Sequence, residues 1–423
     1  MQINNFINTK QNFQRHTSED INYFIQNLNS FSQDEITQWL KAVKANGLTD
    51  EETSALTLAM ARSGEVIDWE ELEPTLDKHS SGGVGDKVTL LFVPLIAAYG
   101  INIPKLSGRS LGITGGTIDK LESISGFRTN LSIDEIKQQV KKIGLVVAGA
   151  SSDLAPADKK LYAIRDVTGT IDSIPLAASS IMSKKLACGA SNIILDVKCG
   201  SGAFMKTFQD AKLLAIEMVA IGKSNNKKIR AVISNMNEPL GYKIGNSLEI
   251  KEVLEVLSGK EVHDLVEITI CLAREAISMV GESESEEKLK ETLLGGKALN
   301  KFELMVKTQG GNLNNVELPK AKHIEILKSE QEGYIQNIDA LTIGEVVFEL
   351  GAGRKNVSEK IDHSVGIVLL KKHGDKVVKD EPLLEIHAKN KEDAEKIKRK
   401  LLSGIILEQK PPAKLKLIHE TIL

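Results

Sequence analysis

From Leu90 to Ala98 the chain is apolar without interruption, and a segment rich in glycine, hydroxyl side chains and lysine stands on each side of this run. Nine such residues in a row cannot face water, so the run reads as a buried helix. The segment before it is Asp77-Lys78-His79-Ser80-Ser81-Gly82-Gly83-Val84-Gly85-Asp86-Lys87-Val88-Thr89. The segment after it begins Lys105-Leu106-Ser107-Gly108-Arg109-Ser110-Leu111-Gly112 and continues Ile113-Thr114-Gly115-Gly116-Thr117-Ile118-Asp119-Lys120-Leu121-Glu122. Glycine lets backbone N–H groups approach a ligand closely, and successive N–H groups in a loop or helix start form an anion nest. With Ser80, Thr89, Ser107 and Thr117 as neutral donors and Lys78 and Lys105 as charges, the natural guest is phosphate. The alternative is two tight turns whose glycines serve only the backbone.

The familiar nucleotide motifs do not match. A P-loop ends in Gly-Lys-Ser/Thr, whereas this chain reads Gly85-Asp86-Lys87-Val88. No G-x-G-x-x-G follows a strand-like run, so neither an NTP nor an NAD site is expected.

A chain of 423 residues is long for one core, so two or three lobes are expected. The net charge of −3, with 26% charged residues, supplies no global basic field for nucleic acid; an anion site must be built locally. Cys188, Cys199 and Cys271 are too scattered for a disulfide framework or a zinc site and read as buried thiols of a reducing compartment. The segment Met1 to Arg15 is polar, and no run of about 18 apolar residues occurs. A soluble, cytoplasmic protein is expected, without a membrane partner.

Three capping-box spacings, Thr17-x-x-Asp20, Ser32-x-x-Glu35 and Thr49-x-x-Glu52, predict three short helices before Ser63-Gly64. Helices so short need a later helix or a second subunit to cover their apolar faces. From Thr75 onward strands and helices alternate. A helix capped by Ser132 ends at Gly144, then come a strand at Leu145–Ala148, a helix after Pro156 and a helix near Leu176–Ala187. A strand at Ile193–Val197, a helix at Phe208–Gly222 and a strand at Ile229–Ser234 follow. The alternation implies a mainly parallel sheet with ligands at its strand ends. β-like segments begin at Gly333-Tyr334. The run from His373 to Asp380 and then Leu383 to Ile386 is similar to a biotinyl- or lipoyl-type hammerhead, without the carrier lysine motif. The turn Gly351-Ala352-Gly353-Arg354-Lys355 reads as a solvated hairpin, or else a second anion nest. The fold class is therefore α/β: a small all-α part, a larger α/β part and a β-rich C-terminal part.

The two glycine-rich segments resemble those of the pyrimidine-nucleoside and thymidine phosphorylases, nucleoside phosphorylase family II. That family reads Lys-His-Ser-Thr-Gly-Gly-Val-Gly-Asp-Lys and Ser-Gly-Arg-Gly-Leu-Gly-His-Thr-Gly-Gly-Thr-x-Asp-Lys-Leu-Glu. This chain departs at Ser81, Ser110 and Ile113, where the family has Thr, Gly and His. The resemblance runs over nearly the whole chain and implies residues 1–68 with 157–188 as a helical domain that binds the base and pairs two chains into a homodimer. It implies 74–152 with 191–325 as the α/β phosphate domain and 333–423 as the C-terminal subdomain. The activity implied is reversible phosphorolysis of uridine, thymidine or deoxyuridine to free base and pentose 1-phosphate, with inorganic phosphate as co-substrate.

Residue by residue, the family's Tyr-Ala-Leu-Arg-Asp-Val-Thr and Ser-Ile-x-x-Lys-Lys motifs carry base-binding Arg, Ser and Lys onto Arg165, Ser180 and Lys184. Ser180 and Lys184, four apart, share a helix face. Read without the family, Arg165 serves equally well in an ion pair with Asp166 or Asp158, and Lys184 as a solvated residue. His79 is implied to bond base O2 and to lend a proton; Lys78, Ser80, Thr89, Lys105, Leu106, Ser107 and Thr117 complete the substrate set. The family also holds a potassium ion, whose matching positions are Gly85, Lys87, Leu240, Lys243 and Glu252, with Lys243 standing where the family has a small residue. Lys105 matches the broad enzymes, strict thymidine phosphorylases having Met there. Two other readings stay open. An anthranilate-type phosphoribosyltransferase would need a Gly-Thr-Gly-Gly-Asp loop and an Asp-Glu pair, and a catalytically silent homologue is suggested by Ile113.

Overall fold

The computed structural model describes residues 2–109, 115–151, 153–313, 318–354 and 359–423. Each capping-box spacing opens a helix. Thr17, Ser32 and Thr49 accept from the N–H three residues on, and Asp20, Glu35 and Glu52 return the bond, starting helices Ser18–Gln26, Gln33–Asn46 and Asp50–Ala61. An additional helix, Ile3–Gln11, stands where the sequence showed only a polar terminus. Its inward face is just Phe6, Ile7 and Lys10, and Lys10 is neutralised by Glu52 at 2.7 Å, a partner that no local pattern announces. The apolar faces of these helices close on Ala157, Leu161, Ile164 and Leu176 from helices Pro156–Thr168 and Ile174–Cys188. At their centre Phe6 stacks on His16 and Phe24 with ring centroids 3.8 and 4.8 Å apart.

The α/β part contains β1 (Leu76–Ser80), β2 (Ile103–Ser107), β3 (Leu145–Gly149), β4 (Asn192–Cys199) and β5 (Lys228–Asn235), divided between a four-stranded sheet and the two-stranded sheet of β2 and β3. β4 pairs in parallel with both β1 and β5, and β2 pairs in parallel with β3. A bridge between Thr75 and Asn102 sets the two groups side by side. The strand Ile418–Ile422 closes the far edge antiparallel to β5. β4 is buried at every position, as a central parallel strand covered on both faces must be. The apolar run after β1 forms the helix Val88–Ala98, buried from Val88 through Ala97. Because the strands run the same way, the segments after β1, β2 and β4 emerge at one end of the sheet. That end is where such folds bind ligands.

The elements between 133 and 235 lie where the patterning put them, lengthened by a few residues. The four helices Asn246–Leu257, His263–Met279, Glu286–Leu294 and Lys297–Thr308 were not singled out by the sequence. The strands beyond them form one three-stranded and one four-stranded antiparallel sheet, the latter including Lys243–Ile244 from before the helices, with helices Ala340–Val347 and Lys391–Ser403 packed among them. The solvated hairpin expected at 351–355 is corrected: Arg354 is buried and paired with Asp119, so the turn folds inward; Lys355 lies outside the described residues. Among the described residues no helix is long and apolar enough to cross a membrane.

Candidate active site

Side chains alternate along β1, so Lys78 and Ser80 face one way and Asp77 and His79 the other. Lys78 is fully buried, with Nζ 3.1 Å from Thr89 Oγ1 and 3.3 Å from Asp196 Oδ2. Asp196 also binds Lys198 Nζ at 2.8 Å and accepts the Ser234 hydroxyl at 2.6 Å. Buried charges persist only when paired, and here two ammonium groups converge on one carboxylate. Ser80 Oγ donates to Asp86 Oδ2 at 2.5 Å, and Val88 N–H donates to Asp86 Oδ1. Burial alone would raise the Asp86 pKa. Lys198, Lys78, Lys120 and the Ser80 bond outweigh it and hold the carboxyl well below the usual range. Asp196 and Lys198 escaped the sequence reading, although a signal existed: two charges at i and i+2 at the carboxyl end of an apolar strand share one face.

The loop between β1 and its helix is shaped by close backbone approach. Gly85 has φ +69°, and a Cβ there would lie 2.5 Å from Leu240 O. Val84 O accepts Leu240 N–H at 3.1 Å. Lys120 Nζ donates to Asp86 O at 2.7 Å and pairs with Glu249 at 2.7 Å. Thr117, half-buried, is the first residue of the short helix Thr117–Leu121 that carries Lys120.

The five positions matched to potassium do come together, but Lys87 itself occupies their centre. Its Nζ donates to Leu240 O at 2.9 Å, Lys243 O at 2.8 Å and Glu252 Oε2 at 2.7 Å. Gly85 O accepts Lys87 N–H at 2.9 Å. The Lys243 ammonium points away, to Glu255 at 2.5 Å. A monovalent cation needs those same oxygens, so these residues do not fit the ion.

On the other face of β1, Asp77 Oδ2 binds Lys185 Nζ at 2.6 Å. Leu106 O accepts from Lys105 Nζ at 3.0 Å and from Lys185 Nζ at 3.2 Å. Burial, then the nearby Lys185 charge, lowers the Lys105 pKa to about 7 against the pull of Asp77. His79 lies among cations: burial, then Lys185, Lys105, Lys78 and Lys184, push its pKa well below the ordinary value. Its Nε2 has no hydrogen-bond partner among the described residues. A ring held neutral can hydrogen-bond a substrate carbonyl.

Ser180 and Lys184 do share one face of the helix Ile174–Cys188: Lys184 Nζ lies 3.3 Å from Ser180 Oγ and pairs with Asp158. Arg165 is differently engaged. Its Nη1 and Nη2 donate to Leu176 O and Ile171 O, each at 2.9 Å, and Nε to Thr170 O at 3.4 Å. The fork read as presented to a base is therefore largely turned onto the link between two helices, leaving two of its five N–H donors. Ser107 is half-buried at the end of β2, its carbonyl accepting Ala150 N–H at 2.9 Å. Arg109 pairs with Glu122. Ser110 and Ile113 lie outside the described residues. Altogether a local crowd of lysines lines the sheet end of a chain whose net charge is −3, which suits an anionic ligand beside a polar one.

Comparison with known proteins shows the family. Residues 72–299 match the a/b domain of a glycosyl transferase family, and residues 334–408 match a pyrimidine nucleoside phosphorylase C-terminal domain. The chain is 44% identical over 438 residues to the pyrimidine-nucleoside phosphorylase of Bacillus subtilis (strain 168), with 100% of both chains covered. It is 42% identical over 436 residues to that of Geobacillus stearothermophilus, again over 100% of both. The crystal structure of anthranilate phosphoribosyltransferase from Thermus thermophilus shares the fold, with TM-score 0.58 and 16% identity over 72% of this chain and 98% of that one. An α/β glycosyl-transferase domain joined to this C-terminal domain, with full-length identity above two fifths, means that the chain belongs to the pyrimidine-nucleoside phosphorylase family of pentosyltransferases.

Proposed function

We propose that this chain catalyses reversible phosphorolysis of pyrimidine nucleosides, uridine, thymidine and deoxyuridine among them, giving free base and pentose 1-phosphate. The observation that carries the reading is the buried Lys78, held between Thr89 and Asp196 beneath the loop after β1. A phosphate on Lys78, Ser80, Thr89, Ser107 and Thr117, with Lys105 beside it, would meet charge-assisted donors in a water-poor site. Its oxygen attacks C1′ while the C1′–N1 bond breaks, and the bonding pair leaves with the base. Lys184, held by Asp158 and Ser180, faces the charge that grows on the base. His79, neutral, hydrogen-bonds a base carbonyl, and Arg165 contributes the N–H groups its turn leaves over. Holding both reactants in line supplies the remainder of the barrier lowering.

The same reading carries further parts: nucleoside salvage in the cytoplasm, a helical lobe formed by 1–68 with 157–188, and pairing of two such lobes into a homodimer. Phe13 and Tyr23, exposed on the helical lobe, suit such an interface. The test of the reaction class is the sugar product. Phosphorus NMR should show phosphate transferred to C1 of the pentose in step with base release; free pentose as the product would mean hydrolysis and end the proposal.

A further inference from the structure

We infer that Lys87 is a built-in replacement for the monovalent cation, so that this chain holds its phosphate loop without potassium. The inference deepens the phosphorylase reading and rests on it only for its kinetic readout. Lys87 is fully buried, and its three ammonium hydrogens meet three acceptors: Leu240 O, Lys243 O and Glu252 Oε2. An ammonium has three donors and no acceptor, so its hydrogen bonding is complete. Glu252 is completed in turn, Oε1 accepting Tyr242 N–H at 2.8 Å and Oε2 accepting Lys243 N–H at 3.2 Å.

The turn from Leu240 to Lys243 is wrapped closely around this charge. Gly241 has φ +69°, and a Cβ there would fall 2.2 Å from Glu252 Oε2 and 2.8 Å from Lys87 Nζ. A second ammonium clamps the turn from outside: Lys372 Nζ binds Pro239 O at 2.8 Å, Gly241 O at 3.1 Å and Asp264 Oδ2 at 2.9 Å. One end of the arrangement is the phosphate loop, because Lys87 follows Asp86, whose carboxylate holds Ser80. The other end is the helix Asn246–Leu257, which carries Glu252. Lys87 therefore acts as a positioning residue. It draws the loop that would cradle phosphate onto a fixed helix, and it does so with a covalently attached charge that cannot dissociate. A potassium ion would compete for oxygens already bonded and bring a second positive charge beside the first.

The test uses full-length protein freed of monovalent metal ions and returned to potassium, sodium or choline chloride at equal ionic strength. Thermal melting and the KM for phosphate are measured in each. The unsubstituted protein should show the same Tm and the same KM in all three salts. Lys87→Thr, which leaves a neutral hydroxyl and the vacated oxygens, should melt lower by about 5 °C in choline, since one partner of a buried ion pair is gone. Its KM for phosphate should rise by about tenfold. Potassium, saturably and more than sodium, should restore both, as no merely structural lesion would allow. Lys87→Met, which fills the space with an apolar chain, should be weakened without such rescue. A saturable rise in Tm with potassium in the unsubstituted protein would overturn the inference, even where Lys87→Thr fails to fold. Loss of phosphate dependence with a salt-independent Tm would instead count against the phosphorylase reading alone.

Discussion

Lys184 Nζ reaches Ser180 Oγ at 3.3 Å across one turn of the same helix, while Asp158 from the neighbouring helix holds the ammonium in place. A fixed, charged donor is worth most where charge develops during reaction. Lys184→Ala is expected to lower kcat/KM at least about tenfold, ~1.4 kcal/mol of transition-state stabilisation, with both uridine and thymidine. Steady-state kinetics on the two nucleosides checks this. A variant as active as the unsubstituted chain on both would remove Lys184 from the site.

Lys78 lies beneath the loop after β1, bonded to Thr89 of the expected phosphate site. Lys78→Met keeps the length of the side chain and removes the ammonium, and Asp196 remains paired through Lys198 and Ser234. The KM for phosphate should rise by the worth of one charge-assisted contact, about 1.5–3 kcal/mol, or roughly tenfold to a hundredfold. The KM for nucleoside should move much less. The two constants, measured separately, distinguish loss of a phosphate contact from general damage.

Lys105 titrates in the working range, its pKa lowered by burial and by Lys185 to about 7. Below that pH it is an ammonium able to hold phosphate; above it, a neutral amine. The KM for phosphate should therefore climb as pH rises through about 7, beyond the change that phosphate's own ionisation causes in Lys105→Met. The same variant tests sugar breadth at saturating phosphate. An apolar methionine would leave a ribose 2′-hydroxyl without a partner, at roughly 1–3 kcal/mol, so uridine turnover should fall further than thymidine turnover. Equal losses would mean that the lysine acts through phosphate alone.

His16 gives the fold a pH dependence of its own. It accepts the Trp39 indole N–H at 3.1 Å on Nε2, a bond only the neutral ring can accept. Burial, then the Lys10 charge, lowers its pKa from 6.5 to about 4. Between those values the unfolded chain binds a proton that the folded chain does not, so stability is lost as pH falls from 6.5 toward 4. Tm should decline across that window, and His16→Gln, which keeps an acceptor for Trp39, should flatten part of the decline. A parallel decline in the variant would assign the effect elsewhere.

Local chemistry was legible in the sequence, and long-range electrostatics was not. The capping boxes at Thr17, Ser32 and Thr49 name their own partners three residues away, so their helices could be read directly. The apolar run after Thr89 and the glycines around it likewise declared a buried helix between two close-approach loops. By contrast, Lys87 meets Leu240 and Glu252 across more than 150 residues, and Arg354 meets Asp119 across 235. Nothing in their local spacing distinguishes them from solvated charges. The backbone bonds of Arg165 were hidden for a related reason: its carbonyl partners depend on how residues 170–176 fold, which composition does not specify. None of the four helices from 246 to 308 opens on a capping box, so apolar periodicity is the main signal they carry.

The central claim is that inorganic phosphate is the nucleophile. The direct measurement is base release from uridine, thymidine and cytidine, followed in phosphate-free buffer and then with phosphate added in steps. The account predicts no release from uridine or thymidine without phosphate and a rate that saturates with it, accompanied by an equal amount of pentose 1-phosphate. Release at an undiminished rate in phosphate-free buffer would contradict it, as would a folded protein that releases no base at any phosphate concentration.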